Sequence, residues 1–525
     1  MNDRAPGVRL GEVVQTHHTV AATRSRTRKT AALAELIAAC APAEAPIVVS
    51  YLSGAVPQRR LGVGWRSLSD MPSPAHEPML TVLGVDAAFT TLAQAGGPGS
   101  ATVRFESLRD LLGQATTAEQ DFLRALITGN LRQGALDGVV IQALAKAHQA
   151  AEDDVRRAVM LTGSAASVAG LLAEKGPAGL AGVGVVVGRP LRPMLAASEK
   201  TVADAIASAG GGTVLVDGKF DGIRIQAHRA AGVVTLYTRS LDEVTDRLPE
   251  VVEAVAGLPG GDLILDGEAL ALLPDGRPAP FQVTGARTAS SVDVESLRAQ
   301  VPLSTVLFDI LHRDGRDLLD EPAHVRHTEL VTLAGDLTVP RIVTDDPAAA
   351  QEFFDAMVAR GHEGVVVKAA DSLYAAGRRG SGWVKVKPAH TVDLVVLAVE
   401  WGSGRRQGWL SNIHLGARDP ATGELVMVGK TFKGMTDAML QWQTERFTEL
   451  ATEGTGGYVV QVRPEQVVEI AFDGVLASTR YPGGVALRFA RVLRYRDDKT
   501  AAEADTLAAL TDPAVRTADG RDGDE

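Results

Sequence analysis

The stretch Val-Asp-Gly-Lys-Phe-Asp-Gly-Ile-Arg, from Val216 to Arg224, is the part of the sequence around which the rest is organised. Its lysine, Lys219, is followed by the pair Asp221-Gly222, and alternating sequence typical of strands lies on both sides. A lysine amine, with an ordinary pKa of about 10.4, becomes a nucleophile only where burial or a nearby cation disfavours the ammonium. The same residues also fit an exposed hairpin lysine beside an Asp-Gly turn, so this stretch alone leaves both interpretations open.

Length and composition predict a soluble protein of several domains. The chain has 525 residues, of which 45% are hydrophobic and 22% charged, so we expect about three or four domains. No apolar run reaches the roughly 18 residues of a spanning helix, and the N-terminus lacks a signal-peptide core, which predicts a cytoplasmic protein. Cys40 is the only cysteine, which excludes an internal disulfide and a cysteine cluster for zinc.

The net charge of −11 is unevenly distributed along the chain. From Ala501 to Glu525 there are seven acidic and two basic residues, a net charge of −5. A nucleic-acid partner is therefore compatible with the sequence, because local basic faces rather than the net charge determine such binding. The basic residues cluster near both ends of the folded part, at Arg24, Arg26, Arg28 and Lys29 and at Arg488, Arg491, Arg494, Arg496 and Lys499.

The first third of the chain is predicted to be an all-α domain. The first 20 residues show no clear period and are predicted to form a mobile arm. From Thr30 to about Lys175, apolar residues recur at helical spacing, for example Leu33, Leu36 and Ile37. Two loops, Pro57–Trp65 and Thr128–Ala135, combine small residues with arginines and could cradle phosphates, although glycines that merely cap helices explain them equally well. Their arginines are Arg59, Arg60 and Arg132.

The rest of the chain changes to strand patterns after a linker rich in glycine, valine and proline near Gly176–Met194. We expect an α+β domain with antiparallel sheets, then a small closed barrel of the oligonucleotide-binding type from Asp393. The predicted domains are 1–185, 186–388 and 389–505, with an acidic tail over 506–525. The predicted strands of the middle domain are Ile223–Arg229, Val233–Arg239, Leu263–Leu273, Thr305–His312, Gly364–Ala369 and Trp383–Lys387, with helices near Leu241–Ala256 and Pro347–Arg360.

Alternation along these strands groups charged side chains on shared faces. Asp266 and Glu268 are two residues apart, as are Lys385 and Lys387, so each pair is expected to point the same way. Carboxylates are unexpected in strands this apolar, and Mg²⁺ typically uses one or two carboxylates together with substrate phosphates. For any single strand, an edge decorated with charges is the simpler explanation. Five such strands in a row favour a polyphosphate site instead.

The order of these motifs resembles that of ATP-dependent DNA ligases, members of the covalent nucleotidyltransferase superfamily, in the three-domain form with an N-terminal DNA-binding domain. The resemblance covers most of the chain, from about Leu33 to Lys499. One departure is Asp217, where relatives often carry glutamate. The matching motifs are Lys219-Phe-Asp-Gly-Ile-Arg224, Thr238-Arg-Ser240, Asp266-Gly-Glu268, Phe308-Asp-Ile310, Glu363-Gly-Val-Val-Val-Lys368, Trp383-Val-Lys-Val-Lys387 and Arg496-Asp-Asp-Lys499, the last preceded by Leu487-Arg-Phe489.

The resemblance implies an enzyme that seals nicks in duplex DNA, in replication, repair or recombination. Lys219 would form a lysyl-AMP with ATP, and the AMP would pass to the 5′-phosphate of the nick before the 3′-hydroxyl displaces it. Mg²⁺ is implied near Glu268 and Glu363, and the like charges of Lys385 and Lys387 would help keep Lys219 deprotonated. The implied nucleotide contacts are Asp217, Arg224, Arg239, Glu268, Phe308, Lys368, Arg379, Lys385, Lys387, Arg496 and Lys499, with Phe308 stacking on the adenine and Asp217 reading its edge.

Three alternatives share the motif of Lys219. An RNA ligase and a GTP-using capping guanylyltransferase carry the same nucleophile, although neither usually has a helical domain of this length before it. A DNA clamp that keeps the fold without the chemistry is a third, and the full set of charged residues argues against it. Enclosing a duplex needs only one copy of the chain, so we expect a monomer in the cytoplasm, associated with the nucleoid if the source is prokaryotic.

Overall fold

The computed structural model describes residues 7–69, 72–131, 137–290, 293–376, 379–388 and 390–510, without the side chains of 379–381. Arg132 and the tail from 511 onward therefore lie outside the described residues. In the described part, a helical region, a central region of two sheets and a strand-rich region follow one another along the chain. This order confirms the predicted fold class.

The N-terminal region is a bundle around one apolar core. Polar side chains cap several of its helices; Ser25 accepts a hydrogen bond from the Arg28 amide, and Thr116 and Glu119 form a capping box. The helices are α1 Leu10–Ala21, α2 Arg26–Ala39, α3 Ala45–Leu52, α4 Val82–Gln94, α5 Ser100–Gly113, α6 Thr117–Ile127, α7 Asp137–His148, α8 Glu152–Thr162 and α9 Ala165–Lys175.

The prediction of a mobile arm over the first 20 residues is wrong from Leu10 onward. Helix α1 buries Leu10, Val13, Val14 and Val20 against the bundle. These residues follow helical spacing only over two short turns, and polar residues interrupt them. Packing against the core of the bundle, rather than a strong local period, therefore holds α1 in place.

The central region consists of two five-stranded sheets, ordered β1-β10-β9-β2-β8 and β4-β3-β5-β6-β7. All pairs are antiparallel except β1 with β10, which is parallel and departs from the prediction. The strands are β1 Leu195–Glu199, β2 Val214–Lys219, β3 Ile223–Ala230, β4 Val233–Thr238, β5 Leu263–Ala271, β6 Leu303–Arg313, β7 Arg316–Asp317, β8 Arg341–Thr344, β9 Gly364–Ala369 and β10 Arg379–Val386. The helices are α10 Val202–Ser208, α11 Pro249–Ala256, α12 Phe281–Ala289, α13 Val294–Gln300, α14 Ala323–Ala334 and α15 Pro347–Ala359.

The passage from β2 to β3 determines where the site lies. Strand β2 belongs to one sheet and ends at Lys219, and β3 begins the other sheet at Ile223. The motif of Lys219 therefore crosses between the two sheets, and residues from both sheets surround it.

The C-terminal region is strand-rich, with the sheet order β13-β12-β11-β15-β18 and a separate hairpin β16-β17. Strand β17 packs against β13, and α16 packs against β12. Residues Leu410–Arg418 and Leu425–Thr431 form an antiparallel hairpin. The elements are β11 His390–Trp401, β12 Leu410–Arg418, β13 Leu425–Thr431, β14 Val459–Gln461, β15 Val467–Phe472, β16 Gly474–Ala477, β17 Val485–Arg488, β18 Arg491–Tyr495, α16 Asp437–Leu450 and α17 Leu507–Leu510.

One predicted helix is shorter than expected. The apolar pattern over Leu241–Ala256 yields α11 only from Pro249, because Leu241 has a left-handed φ of 67°. The Leu241 amide also donates to the Thr238 carbonyl in a turn. In the described part of the chain, no helix has both the length and the apolar character needed to cross a membrane.

Candidate active site

Lys219 lines a cleft of about 1440 Å³, and all three regions of the chain contribute residues to its wall. The N-terminal region brings Gln58, Arg59 and Arg60 to its wall, and the C-terminal region brings three more side chains. Most of the lining comes from the central region. The lining from the central and C-terminal regions includes Asp217, Lys219, Arg224, Arg239, Glu268, Phe281, Phe308, Glu363, Lys368, Lys385, Lys387, Asp473, Arg488 and Phe489.

The Lys219 amine lies against a carboxylate. Its Nζ forms an ion pair with Glu363, which also contacts Lys387, and it donates to the Phe220 carbonyl at 3.2 Å. Lys387 in turn lies 3.1 Å from Asp473 of the C-terminal region. Burial alone would lower the pKa of Lys387, but Glu363 and Asp473 outweigh it and raise that pKa. Glu363 therefore contacts both amines. Its negative charge offsets the positive charge that Lys387 was predicted to place beside Lys219.

Glu268 lies on β5 and lines the same cleft. It accepts a hydrogen bond from the Gly222 amide at 2.9 Å. Burial raises its pKa to about 7, although the Lys219 ammonium and the Gly222 amide oppose that rise. A cation bound beside Glu268 would favour the ionised form of this carboxyl.

The two carboxylates fit a magnesium ion held jointly with phosphates. Glu363 has a buried oxygen, Oε2, whose partner is the Lys219 amine, so a cation bound there would compete with that amine. The described residues contain no group of three or more His, Cys, Asp or Glu side chains able to hold a metal by themselves. Two carboxylates that depend on substrate phosphates for the remaining ligands agree with magnesium chemistry rather than with a closed structural metal site.

Arg224 is held below the cleft by the other carboxylate of β5. Its guanidinium donates to both oxygens of Asp266 at 2.9 and 2.6 Å, and Tyr374 donates to Asp266 at 2.8 Å. It also lies 5.3 Å from the centre of the Phe308 ring. Asp266 therefore holds Arg224 in place. This ion pair accounts for a buried carboxylate in the strand, so no metal is needed to explain it.

The remaining predicted residues of the central region divide into two groups. Arg239, Lys385 and Lys387 line the cleft. The two lysines are two residues apart, and their shared position agrees with the predicted alternation. The side chain of Arg379 lies outside the described residues. Asp217 and Lys368 also line the cleft, but Asp217 is bound by Arg341 and Lys368.

Arg496 and Lys499 do not line the cleft. Both contact Asp393 at the start of the strand-rich region, at 2.9 and 2.6 Å. A different part of that region faces Lys219. There, Arg488 forms an ion pair with Asp221, with a second contact at 3.1 Å, and its guanidinium lies 5.1 Å from the centre of the Phe281 ring.

Sequence reasoning did not identify Arg341, Asp473 and Phe281 as part of the site. Arg341 is brought to Asp217 by the pairing of β2 with β8, and Asp473 reaches Lys387 across two domains. The one signal in the sequence for Arg341 is that a charged residue stands in a short apolar segment. No local pattern marks the other two.

A glycine sets the distance between the strands that carry the charges. Gly364 follows Glu363 at a φ of 135°, and a Cβ atom there would meet the carbonyl oxygen of Val386. Residues 363 and 387 flank this close approach, which lets Glu363 reach Lys219 and Lys387 together.

Three family models match the chain in order. They are "DNA ligase N terminus" over residues 66–145, "ATP dependent DNA ligase domain" over 193–387 and "ATP dependent DNA ligase C terminal region" over 406–499. A "Probable DNA ligase" of Beutenbergia cavernae is 58% identical over 506 residues, 95% of this chain and 98% of the relative. "DNA ligase B" of Mycobacterium tuberculosis is 55% identical over 509 residues, with 95% and 99% covered. The solved structure Pmar-Lig_PreS3 is similar in fold, with a TM-score of 0.59 and 18% identity over 92% of this chain and 99% of that one.

Proposed function

This chain belongs to the ATP-dependent DNA ligase family, and from that membership we propose that it joins 5′-phosphate and 3′-hydroxyl ends at nicks in duplex DNA. ATP and Mg²⁺ are its cofactors. The observation that carries the assignment of the nucleophile is the position of Lys219, whose amine faces a cleft between two carboxylates and a row of cations. That arrangement suits attack on a phosphate held with a divalent cation.

In the first step, the Lys219 amine attacks the α-phosphorus of ATP. The new N–P bond forms as the bond to the bridging oxygen breaks, pyrophosphate leaves, and the amine proton passes to solvent. Glu268 and Glu363 would hold Mg²⁺, which would supply neutralisation of the phosphate charge. Glu363 pairs with the Lys219 amine, so the amine is available for attack when this carboxylate takes another partner.

The cations of the cleft bind the phosphates. Lys385 and Lys387 face the α-phosphate, and Arg224 and Arg239 bind ribose or phosphate, while Phe308 stacks on the adenine. In the later steps, the AMP moves from Lys219 to the 5′-phosphate of the nick, and the 3′-hydroxyl displaces it. Each step is an in-line transfer in which position and charge compensation supply most of the rate enhancement.

The proposed domains are 1–185 for DNA binding, 186–388 for adenylation and 389–505 for the oligonucleotide-binding fold, with the acidic tail after them. Helix α9 ends at Lys175 and β1 begins at Leu195, which supports the first boundary. The second boundary is supported by the end of β10 at Val386 and the start of β11 at His390. We also propose that one copy acts alone, in the cytoplasm, on nicked duplex DNA.

Intact mass after incubation with ATP and Mg²⁺ tests the nucleophile. We expect one added AMP on the wild-type chain, mapped to Lys219, and none on Lys219→Arg, because the guanidinium does not lose its proton. Lys200→Arg is the matched control, since Lys200 is exposed and outside the cleft, and it should keep the adduct. An adduct that persists in Lys219→Arg would refute the assignment. Labelling from GTP instead of ATP, or joining of nicked RNA but not DNA, would favour the alternative nucleotidyltransferases.

A further inference from the structure

A carboxylate and two cations lie together beside the cleft, and two of these residues, Asp217 and Lys368, line it. Asp217 on β2 and Arg341 on β8 are directly paired across the strands. The Arg341 guanidinium grips both oxygens of Asp217, with Nη2 at 2.6 Å from Oδ2. Lys368 adds a contact to the same Oδ2 at 2.8 Å. All three side chains are at most 5% exposed, so water competes little for these contacts.

The contacts leave Asp217 little freedom to accept another hydrogen bond. An ionised carboxylate offers about four acceptor sites on its two oxygens. Arg341 fills one on each oxygen and Lys368 fills a second on Oδ2. The remaining site is on Oδ1, so its direction depends on how Arg341 holds the group.

Arg341 also holds the residue that stacks on the base. Its Nη2 donates to the Phe308 carbonyl at 3.1 Å, and Lys368 donates to the same oxygen at 3.0 Å. The Phe308 ring lines the cleft together with Asp217. Arg341 and Lys368 therefore both link the Phe308 backbone to the Asp217 carboxylate, and Arg341 is the one that contacts both oxygens of that carboxylate.

Charge balance explains why the acceptor stays ionised. Burial would raise the pKa of Asp217, but Arg341 and Lys368 outweigh it and hold that pKa below its usual range. Behind them, Asp309 is gripped by Arg326 at 2.8 and 3.0 Å. In the described part of this cluster, the cations Arg341, Lys368 and Arg326 pair with two carboxylates, and the acceptor site left on Asp217 suits a hydrogen-bond donor such as an exocyclic amine.

We propose that Arg341 is a positioning residue that sets the preference for a 6-aminopurine, by aiming the free acceptor site of Asp217 at the exocyclic amine while it holds Phe308 for stacking. The inference rests on the proposed function and deepens it. Arg341 itself acts through these two neighbours and not on the reacting phosphorus.

The test compares ATP with purine riboside 5′-triphosphate, which lacks only the exocyclic amine, as donors for self-adenylylation. For the wild type we expect the KM for the analogue to exceed that for ATP by roughly tenfold or more, the size expected for one hydrogen bond to a charged acceptor. In Arg341→Ala and Arg341→Gln, the KM for ATP rises toward that of the analogue, whereas kcat changes much less.

Arg287→Ala is the control for simple loss of a buried ion pair. Arg287 is buried and held by Glu250 at 3.1 Å in the same domain, and it does not line the cleft. It should keep the wild-type preference for ATP. The inference is overturned if both Arg341 variants keep that preference, or if Arg287→Ala loses it equally. A wild-type chain that takes a nucleoside monophosphate from neither triphosphate would instead refute the proposed function, and the inference with it.

Discussion

At the scale of single residues, individual carboxylates of the site each contact two cations. Glu363 contacts Lys219 and Lys387, and Asp217 contacts Arg341 and Lys368. The motifs identified Lys219, Glu268, Glu363, Lys385 and Lys387, because strand alternation and motif order can be read from neighbouring residues. Arg341 was not identified, because its partner Asp217 is 124 positions away and only the pairing of β2 with β8 unites them. The sequence therefore predicts which groups react better than it predicts which groups hold them in place.

Glu363 offers the sharpest prediction at this scale. Glu363→Gln keeps the shape of the side chain but removes the charge that contacts Lys219 and Lys387. We expect self-adenylylation to slow by roughly a hundredfold, because a charged group that acts in the transition state is lost. A higher Mg²⁺ concentration should be needed for half-maximal rate.

The measurement is the rate of AMP incorporation as Mg²⁺ is titrated. Glu352→Gln, at an exposed position on α15, should behave as the wild type. An unchanged Mg²⁺ requirement in Glu363→Gln would rule out the proposed metal role.

At the scale of elements, strands with strong alternation were predicted well and short segments were not. Strand β9 is found at its predicted limits, Gly364–Ala369. Strands β1 and β8, with five and four residues, were missed because so few residues carry no clear period. The linker before β1 was predicted from its prolines, and the structure shows how it is attached: the Gly188 amide donates to His228 Nδ1 at 3.0 Å, and the Leu191 amide donates to Gln226 at 2.7 Å.

This attachment predicts a pH-dependent stability. His228 is fully buried, and its Nε2 lies 2.9 Å from Gln226 Oε1, so a neutral ring satisfies both contacts. Burial, and then His312, lower the pKa of His228 to about 4. Because the folded pKa lies below the unfolded value of about 6.5, the stabilisation is complete above pH 6.5 and is lost as the pH falls toward 4, by about 3 kcal/mol at most.

Denaturant unfolding of wild type and His228→Asn between pH 7 and pH 4 measures this effect. The free energy of unfolding should fall less steeply with acidification in the variant. His324→Asn, at a half-exposed side chain, should retain the wild-type slope. Parallel slopes for wild type and His228→Asn would contradict the assignment.

At the scale of the whole molecule, ion pairs connect the three domains, and an apolar cluster that includes Met160 and Ile264 packs the first domain against the second. Arg157 of the N-terminal region grips Asp320 at 2.8 and 2.6 Å, and Arg192 reaches Asp137 at 2.8 Å. Arg488 and Asp473 join the C-terminal region to the adenylation site. The motifs predicted the order of the domains. They did not predict which face of the C-terminal domain meets Lys219, because that face depends on how this domain is rotated about the short connection between β10 and β11.

Two faces of the C-terminal domain should therefore serve different steps. Lys499, now on Asp393, is expected to act when ATP is bound, so Lys499→Ala should slow self-adenylylation more than sealing of a nick that already carries AMP. Arg488 faces the cleft in the present arrangement, so Arg488→Ala should show the reverse. Each preference should reach roughly tenfold, the value of a hydrogen bond between charged groups.

Single-turnover rates of both reactions, measured for both variants, distinguish these roles. The two variants are matched controls for each other, since each removes a cation from the same domain. Equal losses in the two reactions for either variant would contradict the division of roles.

The close approach at Gly364 has an implication for which changes the enzyme tolerates. A single methyl group added there carries no charge and meets only backbone of the neighbouring strand. Its steric effect would nevertheless push apart the acid and the amines whose contact depends on that spacing. Harmful substitutions in this protein are therefore not confined to its ionisable groups, and an alanine can be as damaging as a charge reversal when it occupies the narrowest gap between two strands.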